Sequence, residues 1–586
     1  MKCGKEKTCL KKTLGELRKL KKDISEQTPI YLKQSDFSGG TYIINQPGYY
    51  VLSEDILFNP NPEADYFPKP EQEKYQTLGY SLGFFAVIAI AAQNVYLDLN
   101  GHQISASLEF TLQQRFFSII ELGDAPFLKG QGPGSFSNGL TTAKDTIIGN
   151  GTLGFSSHHG IHGNIAENIL LEDLVIKDFE FVGIALNGSH CLALDNVQIG
   201  PNRDNIPVLA TYSAARFNRL FAKNLLTDER VSPSFKTELS QALANLEEEM
   251  RVTFNEVIAG QKVSSELFRN ESGLADGNVY GILIKDRGVA INDFTPSSNQ
   301  QTRNVVLHKV NIKELKGRVD EIVALSNSRG RGACVDIAGA VFPIDFLISE
   351  GKYNGTNLSD LQIKIAEICN NLNIKMGTLN IPGEVVSWCK NGTDIQNLIN
   401  QGFRYKCGGD SMHHFNKGIL GIRLDALDNV KIKKCQIENI SNFGRIGNTD
   451  ADGSYLRSFD GANRDGYFGA DTCGIHLSFC TNIEVIKSDI VSIYSENGDS
   501  IGINLIHKTS VDLEKSEIKD IKAGRLKCGF WTGTDYWGEK SRYREEMPNR
   551  VPKAIGIRVE ESQVEIDDVE IFDLCSPSKP KKILYV

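Results

Sequence analysis

The sequence lacks any long apolar run. The longest, 82–92, has 11 residues including a glycine, well short of the roughly 20 that a membrane-spanning helix needs. Met1 is followed by no apolar stretch of signal-peptide length, only by the charged segment 10–26. The sequence therefore predicts no membrane partner, no signal peptide and no export by the general route, so we expect a cytoplasmic location.

An excess of positive charge is also absent, since 64 Lys and Arg stand against 73 Asp and Glu for a net charge of -9. Binding nucleic acid through phosphate contacts favours the opposite balance, so we predict no nucleic-acid partner. The 12 cysteines lack the short paired spacings of zinc sites, and we expect reduced thiols. A composition of 40% hydrophobic and 23% charged residues excludes disorder and collagen.

What the sequence does contain is a repeat marked by Gly-Ile. Counted from each isoleucine, apolar residues recur near +8, +10, +15 and +18, once 15 extra residues are allowed in the Ile282 unit and one residue is deleted from the Ile557 unit. The marking isoleucines are Ile161, Ile184, Ile282, Ile422, Ile475, Ile503 and Ile557. Units of this length are too short to bury their own apolar face and must stack on neighbours. The pattern predicts three short strands per turn of a parallel β-solenoid, because the linking segments are too short and too β-branched for βαβ units.

With this repeat, the chain resembles the right-handed parallel β-helix proteins of the pectate-lyase-like superfamily. Segments 41–56 and 94–104 look like the first strands and first coil of that group, and the likeness extends over about residues 40–575. The resemblance implies an all-β fold, a right-handed parallel β-helix. It leaves the activity open, because relatives include lyases, hydrolases, epimerases, attachment proteins and non-catalytic surface proteins.

Periodicity outside the repeat predicts the domain organisation. Apolar residues on one face of 1–30 predict an amphipathic helix, which we expect to cap the open end of the coil rather than to drive oligomerisation. Spacings of three and four predict helical insertions in the coil. The predicted order is a capping helix at 1–30, a β-helix at 31–575 with helical insertions near 213–272 and 356–405 and long loops at 442–473 and 522–550, and a tail at 576–586.

The +1 position after each marking isoleucine is expected to point outward, because it lies between two inward apolar residues. Arg423, His476 and Arg558 occupy it in the C-terminal half, with Asn504 between them. Arg offers paired donors to carboxylate or sulfate, and His can exchange protons near neutrality. We predict catalytic roles for the first three and substrate binding by Asn504; the alternative is a solvated face on which cations pair with acids in flanking loops.

The loop at 442–473 is rich in aspartate. Asn448, Asp450 and Asp452 precede Gly453 in a spacing that resembles the start of a calcium loop, although Phe459 occupies the place of its bidentate Glu. We name these three as candidate metal ligands and calcium as the candidate cofactor; an Asx-rich turn is the alternative. Lyase-like relatives combine acidic calcium ligands with a cationic base, and this resemblance adds Asp450 and Asp471 to the candidate catalytic residues.

The loop at 522–550 carries four large aromatic residues, Trp531, Tyr536, Trp537 and Tyr543. Exposed aromatic rings beside charged groups suit a sugar, whose ring has both apolar faces and hydroxyl groups. We predict that these residues bind substrate. The alternative is that they pack the loop onto the coil.

Two functions follow. The first is engagement of an extended, acidic polysaccharide along the outer groove, with cleavage by a lyase or glycoside hydrolase left open. The second is a non-catalytic structural or attachment role as a homo-oligomer or as a component of a large virus particle, which would place the protein in the virion.

Asn448-Thr449-Asp450 matches the first element of the polygalacturonase-like hydrolases, but their later elements do not occur. His158, His159 and His162 are not accompanied by a further ligand at a spacing typical of metal sites, so we expect them to be loop residues.

Overall fold

The structure is a computed structural model that describes most of the predicted coil. The predicted insertion near 356–405 and most of the loops at 442–473 and 522–550 lie outside the described residues. No helix in the described part of the chain is long and apolar enough to span a membrane. The described residues are 3–60, 86–113, 117–124, 141–202, 226–227, 229, 231–261, 263–265, 279–286, 302–317, 418–442, 471–495, 498–524 and 552–586.

The described strands form two parallel sheets, which we call sheet A and sheet B. Sheet A has 19 strands: β1 (Ile30–Leu32), β3 (Gly48–Leu52), β4 (Ile56–Phe58), β6 (Gln93–Asp98), β7 (Gln103–Ala106), β9 (Lys144–Ser156), β11 (Glu167–Phe179), β13 (His190–Ile199), β15 (Thr302–His308), β16 (Asn311–Lys313), β17 (Lys316–Gly317), β19 (Leu427–Lys433), β20 (Gln436–Asn442), β22 (Thr481–Ile486), β23 (Asp489–Ser495), β25 (Ser510–Glu514), β26 (Glu517–Ala523), β28 (Gln563–Asp567) and β29 (Glu570–Cys575). Sheet B has 11 strands: β2 (Tyr42–Ile44), β5 (Ala86–Ile90), β8 (Ser118–Glu121), β10 (His159–Asn164), β12 (Val182–Asn187), β14 (Val279–Lys285), β18 (Ile419–Asp425), β21 (Thr472–Ser478), β24 (Ser500–Ile506), β27 (Ala554–Val559) and β30 (Lys581–Tyr585).

Sheet B shows the predicted stacking most directly, because its strands neighbour one another in chain order. Ile161 pairs with Ile184, which pairs with Ile282, and the same register continues to Ile557. All the marking isoleucines belong to one buried core cluster. The predicted all-β parallel β-helix is therefore confirmed, and its right-handed sense is the one that parallel crossover connections take.

The glycine before each marking isoleucine forms a bulge in sheet B. The parallel pairing omits this glycine. Cys473 pairs with Ile501 and Ile475 pairs with Ile503, while Gly474 lies between the two paired residues. The isoleucine belongs to the inner cluster and the cysteine to a separate cluster of outward-facing residues, so the bulge shifts the inward and outward alternation by one. Only glycine fits, because a Cβ on Gly474 would lie 2.6 Å from Ile490 Cγ2 and 2.7 Å from the Gly502 carbonyl oxygen.

Left-handed backbone bends separate the strands within each turn. At position +7 the φ angles lie between 48° and 60°, a region that Asn and Asp tolerate better than most residues. The occupants are Asp145, Asn168, Cys191, Asn304, Asn429 and Asn482. Their side chains also stack between turns, since Asn168 Nδ2 donates to Asp145 Oδ1 at 2.7 Å. The polar residues between the apolar steps therefore form the corners of the coil.

The predicted N-terminal helix is present as α1 (Cys3–Ser25). Its Leu17 and Ile24 are buried against outward-facing residues of sheet A, namely Tyr96, Ile147, Leu170, Ala193 and Val306. An ion pair between Arg18 and Asp195 holds the same face. The helix thus covers one side of the coil, whereas we expected it over the open end. The reason is that the first turns carry an apolar outer stripe that also has to be buried.

The two other described helices are α2 (Leu108–Gln113) and α3 (Pro233–Ile258). Helix α3 lies in the predicted insertion near 213–272 and begins at the N-cap Ser232, whose side chain accepts a hydrogen bond from Phe235 N. The predicted tail at 576–586 contains β30, which pairs with β27 and adds a strand to sheet B. The coil therefore continues to the last residues of the described chain.

The described cysteines depart from the expected reduced state at one position. Cys575 is disulfide-bonded, whereas Cys191, Cys435, Cys473 and Cys480 carry free thiols. Burial raises the pKa of Cys435 to about 11 and that of Cys480 to about 12. Both groups therefore stay protonated and act as small apolar core residues.

We predict that Gly474→Ala lowers the stability of the coil, because the added methyl group meets a backbone oxygen that cannot move without breaking the stack. Overpacking of this kind costs about 1–3 kcal/mol, which thermal unfolding should register as a lower melting temperature. The control is Gly154→Ala, whose Cβ would meet Lys177 side-chain atoms at an ordinary 3.5 Å. Equal melting temperatures for the two variants would contradict the inference that only glycine fits at the bulge position of Gly474.

Candidate functional site

The residues at +1 stack on the outer face of sheet B as predicted. Arg423 pairs with His476, His476 with Asn504, and Asn504 with Arg558. The column also extends backward, where His162 pairs with Glu121. Sequence analysis missed Glu121 because its turn has no Gly-Ile to mark the register.

The outer face is buried, although we expected a groove open to solvent. Arg423 is 2% exposed, and His476 and Asn504 are 0% exposed. The neighbouring outward column two residues before each marking isoleucine is apolar and equally buried; it includes Val182, Tyr280, Leu420, Cys473, Ile501 and Ile555. Sheet B is therefore covered on both faces, and its polar residues lie in a low-dielectric environment.

Both arginines of the column pair with an acid two residues further along the chain, Asp425 at the end of β18 and Glu560 directly after β27. Arg423 Nε donates to Asp425 Oδ2 at 2.9 Å, and Arg558 Nη2 donates to Glu560 Oε2 at 2.6 Å. Residues two apart on a strand share one face, which places each acid beside its arginine. The alternative interpretation also paired these cations with acids, but it placed the acids in flanking loops and the face in solvent, whereas Arg423 and Asp425 are buried. The pairing leaves less net positive charge for an acidic ligand than the sequence suggests.

The ring of His476 lies between Asn504 and Asp425. Its Nδ1 accepts a hydrogen bond from Asn504 Nδ2 at 3.0 Å, and its Nε2 lies 3.8 Å from Asp425 Oδ1. Burial, and then the positive charge of Arg423, hold the pKa of His476 well below its usual 6.5. His476 is therefore a neutral hydrogen-bonding group, and the proton exchange near neutrality that we expected of it is disfavoured.

Three buried oxygen atoms of this cluster have no hydrogen-bond partner in the part of the chain that the structure describes. They are Asp425 Oδ1, Ser478 Oγ and Asn504 Oδ1. Each residue is 0–1% exposed. A buried polar atom left unpaired costs about 1–3 kcal/mol, and such groups are rare in native proteins. We call the set Arg423, Asp425, His476, Ser478 and Asn504 the C-terminal cluster.

Asp471 is separate from this cluster. It begins the turn of β21, and five residues of extended strand, about 16 Å, separate it from His476. Its Oδ1 accepts from Asp499 N at 2.8 Å, and Asp499 Oδ1 in turn accepts from Lys553 N at 2.8 Å. This ladder of carboxylates ties successive turns together at one corner, which is a structural role.

The remaining predicted site residues, which are the metal ligands and the aromatic residues, lie outside the described residues. Among the described residues, no group of three or more His, Cys, Asp or Glu has the arrangement of a metal site. The candidate ligands and aromatic residues outside the described residues are Asn448, Asp450, Asp452, Trp531, Tyr536, Trp537 and Tyr543.

A second polar cluster lies on the N-terminal turns of the same face. His162 Nδ1 lies 2.8 Å from both oxygens of Glu121, and Ser118 Oγ donates to Glu121 Oε2 at 3.1 Å. His159 is buried beside them, and burial, with the neighbouring His158 and His162, holds its pKa well below 6.5. The prediction of loop histidines is wrong for His159 and His162, because both lie on strand β10. We call Ser118, Glu121, His159 and His162 the N-terminal cluster.

Rings connect the two clusters across the apolar middle of the face. Ring centroids are separated by 4.9 Å between His162 and His159, 5.7 Å between His159 and Phe181, and 5.5 Å between Phe181 and Tyr280. The Arg423 guanidinium lies 5.8 Å from the Tyr280 ring, and its Nη1 donates to the tyrosine hydroxyl at 3.3 Å. Aromatic rings therefore do lie beside the polar groups, although they are not the ones that we predicted.

The fold and this face define a parallel β-helix protein with a buried polar and aromatic outer sheet. No protein-family model and no curated protein matches the chain. The solved structures that are similar to it include the A-module of the mannuronan C-5 epimerase AlgE4 of Azotobacter vinelandii, at 8% identity, TM-score 0.29 and coverage of 95% of this chain and 88% of that chain. They also include the periplasmic alginate epimerase AlgG, at 9% identity, TM-score 0.28 and coverage of 93% of this chain and 84% of that chain. At these identities and TM-scores, the likeness carries no argument about activity.

We predict that the protein loses stability as the pH falls below about 6.5. An unfolded histidine takes up a proton there, whereas the pKa of His476 and that of His159 are held lower in the folded state, so acid favours unfolding. Each such group contributes up to about 1.4 kcal/mol per pH unit. Melting temperatures between pH 7.5 and 5.5 should fall less steeply for His476→Asn, which keeps an acceptor near the Nδ1 position. An unchanged slope in the variant would show that folded His476 takes up the proton.

Proposed function

We propose that the protein binds an extended polysaccharide along the outer face of sheet B, with the C-terminal cluster as the polar centre of the site. The observation that supports this most is the set of three buried oxygens on Asp425, Ser478 and Asn504 that no described residue hydrogen-bonds. Folding does not need them, since equivalent positions on other turns are apolar: Leu283 stands in the column of Asn504, and Ile506 stands in the column of Asp425 and Ser478. A ligand that pairs with them would recover the energy that their burial costs.

The chemistry of these atoms indicates which ligand would fit. A carboxylate oxygen and an amide oxygen only accept hydrogen bonds, and a serine hydroxyl can accept as well. The ligand must therefore bring donors, and the hydroxyl groups of a sugar are donors that are closely spaced along a chain. The arginines already face Asp425 and Glu560, so we propose recognition through hydroxyls first, with acidic groups of a uronate as a secondary contribution.

The apolar part of the face suits the same ligand. Phe181 and Tyr280 lie between the polar clusters, and aromatic rings pack against the apolar faces of sugar rings. Successive turns repeat these contacts about every 4.8 Å along the coil axis. A polymer lying parallel to that axis would meet similar groups at a regular spacing. Because the face is buried, binding requires an opening step and should be slower than free diffusion allows.

Binding is the function that the cluster supports, and cleavage has less support. A lyase or hydrolase needs a group that gains or loses a proton near the working pH. His476 is held neutral by burial and by Arg423, and Asp471 lies at a corner. We therefore propose a binding role without turnover at the C-terminal cluster.

A second candidate function is structural, as a homo-oligomer or a component of a large particle such as a virion. The complete burial of His476 and Asn504 favours it, because buried polar networks also fix a unique packing. Purified particles that contain the protein in fixed stoichiometry would support this function, whereas a freely soluble monomer pool would count against it.

We predict that Ser478→Ala weakens polysaccharide binding without lowering stability. Within the described ranges the hydroxyl has no hydrogen bond to lose, so the melting temperature should stay the same or rise, while a lost ligand hydrogen bond raises Kd by about three- to tenfold. The measurement is calorimetric titration with polygalacturonate, mannuronan and cellulose-derived polymers.

The matched control is Ser492→Ala on sheet A, whose hydroxyl donates to Asp520 Oδ2 at 2.6 Å. It should lower the melting temperature and leave Kd unchanged. If none of the polymers binds to the unmodified protein, the proposed function is wrong.

A further inference from the structure

We infer that the N-terminal cluster is a second saccharide-binding site on the same face, in which His162 Nε2 accepts a hydrogen bond from a sugar hydroxyl. This inference rests on the proposed function and extends the site by several turns. Two independent observations carry it: the geometry of the Glu121–His162 pair and the continuity of the face between the clusters.

The hydrogen bonds of His162 fix which nitrogen is available. Glu121 in its ionised form only accepts hydrogen bonds, so the His162 nitrogen at 2.8 Å, Nδ1, carries the ring hydrogen. In the neutral ring, Nε2 then presents a lone pair. Among the described residues no group hydrogen-bonds Nε2, and 8% of the His162 side chain remains exposed. Ser118 donates to the Glu121 carboxylate and holds it in place.

The pair is not needed by the fold. Ala89 and Ala185 occupy the same column on the strands before and after it, so this position accepts a small apolar residue. Glu121 is only 1% exposed, and taking an ionised carboxylate out of water costs more free energy than an apolar replacement would. A ligand that hydrogen-bonds to Nε2 would offset this cost of burying the pair.

The two clusters also offer the same kind of atom. His162 Nε2, Asp425 Oδ1 and Asn504 Oδ1 are all hydrogen-bond acceptors on one face of one sheet. Strand β10, which carries His162, and strand β18, which carries Asp425, are three strand spacings apart in sheet B, or about 14 Å. The rings of Phe181 and Tyr280 fill that interval. One chain of sugar residues parallel to the axis would reach both clusters, whereas a disaccharide would reach one.

The test is the length dependence of binding. Oligosaccharides of galacturonate, mannuronate and cellulose, from disaccharides upward, are titrated into the full-length protein and into His162→Asn. Asparagine can still donate to Glu121 from the position of Nδ1 but has no atom at Nε2. Glu121→Gln is a second variant that keeps the side-chain volume and removes the charge that orients His162.

The control is His102→Asn, which makes the same change in an imidazole–carboxylate pair away from sheet B, where His102 Nδ1 lies 3.2 Å from Asp55 Oδ1. Melting temperatures establish that each variant is folded.

We expect Kd for the unmodified protein to fall once the oligomer is long enough to span about 14 Å. His162→Asn and Glu121→Gln should remove that gain, raising Kd for long oligomers by about three- to tenfold, with disaccharides and the His102 variant unaffected. Binding that Ser478→Ala weakens, but that is independent of length and of His162, contradicts this inference alone. Binding of no oligomer contradicts both this inference and the proposed function.

Discussion

Hydrogen bonding between equivalent positions of successive turns is the constraint on which the whole structure depends. Each strand of sheet B pairs in parallel with the strand one turn away, so a residue meets its counterpart at a spacing of about 4.8 Å. A side chain that suits one turn must therefore suit the stack. This explains why isoleucine recurs inside, why asparagine and aspartate recur at the corners, and why residues as far apart in sequence as Glu121 and Arg558 share one column.

The inward glycine converts that stacking into a functional face. Because the bulge at Gly474 shifts the alternation by one residue, Cys473 and His476 both face outward while Ile475 faces inward. Sheet B thereby presents an apolar outer column before the glycine and, after it, the outer columns that carry Arg423 with His476 and Asp425 with Ser478. The combination of an apolar column beside a polar one is what lets rings such as Tyr280 lie next to Arg423.

The fold and the register could be predicted because the Gly-Ile repeat determines both. The burial and the partners of the residues in the +1 column could not be predicted. Burial of His476 depends on what covers sheet B, and no periodicity reports that. Glu121 was missed because its turn lacks the marker, and His162 was misassigned because its carboxylate partner lies 41 residues earlier in the chain. The amphipathic pattern of α1 predicted a helix with an apolar face, but not which apolar surface that face would cover.

A comparison of the two sheets gives the strongest reason to place function on sheet B. Charged residues on the C-terminal turns of sheet A stay partly exposed and pair across neighbouring strands, as Lys431 does with Glu484, whose side chains are 26% and 23% exposed. Solvated pairs of this kind contribute little and need no ligand. Asp425 and Asn504 differ, since they are buried with oxygen atoms that have no hydrogen-bond partner in the described part of the chain. A chain that fills the column of Asn504 with Leu283 on one turn, and the column of Asp425 with Ile506 on another, retains such atoms at a loss of stability. Recognition of a hydroxyl-rich ligand is the role that their chemistry fits.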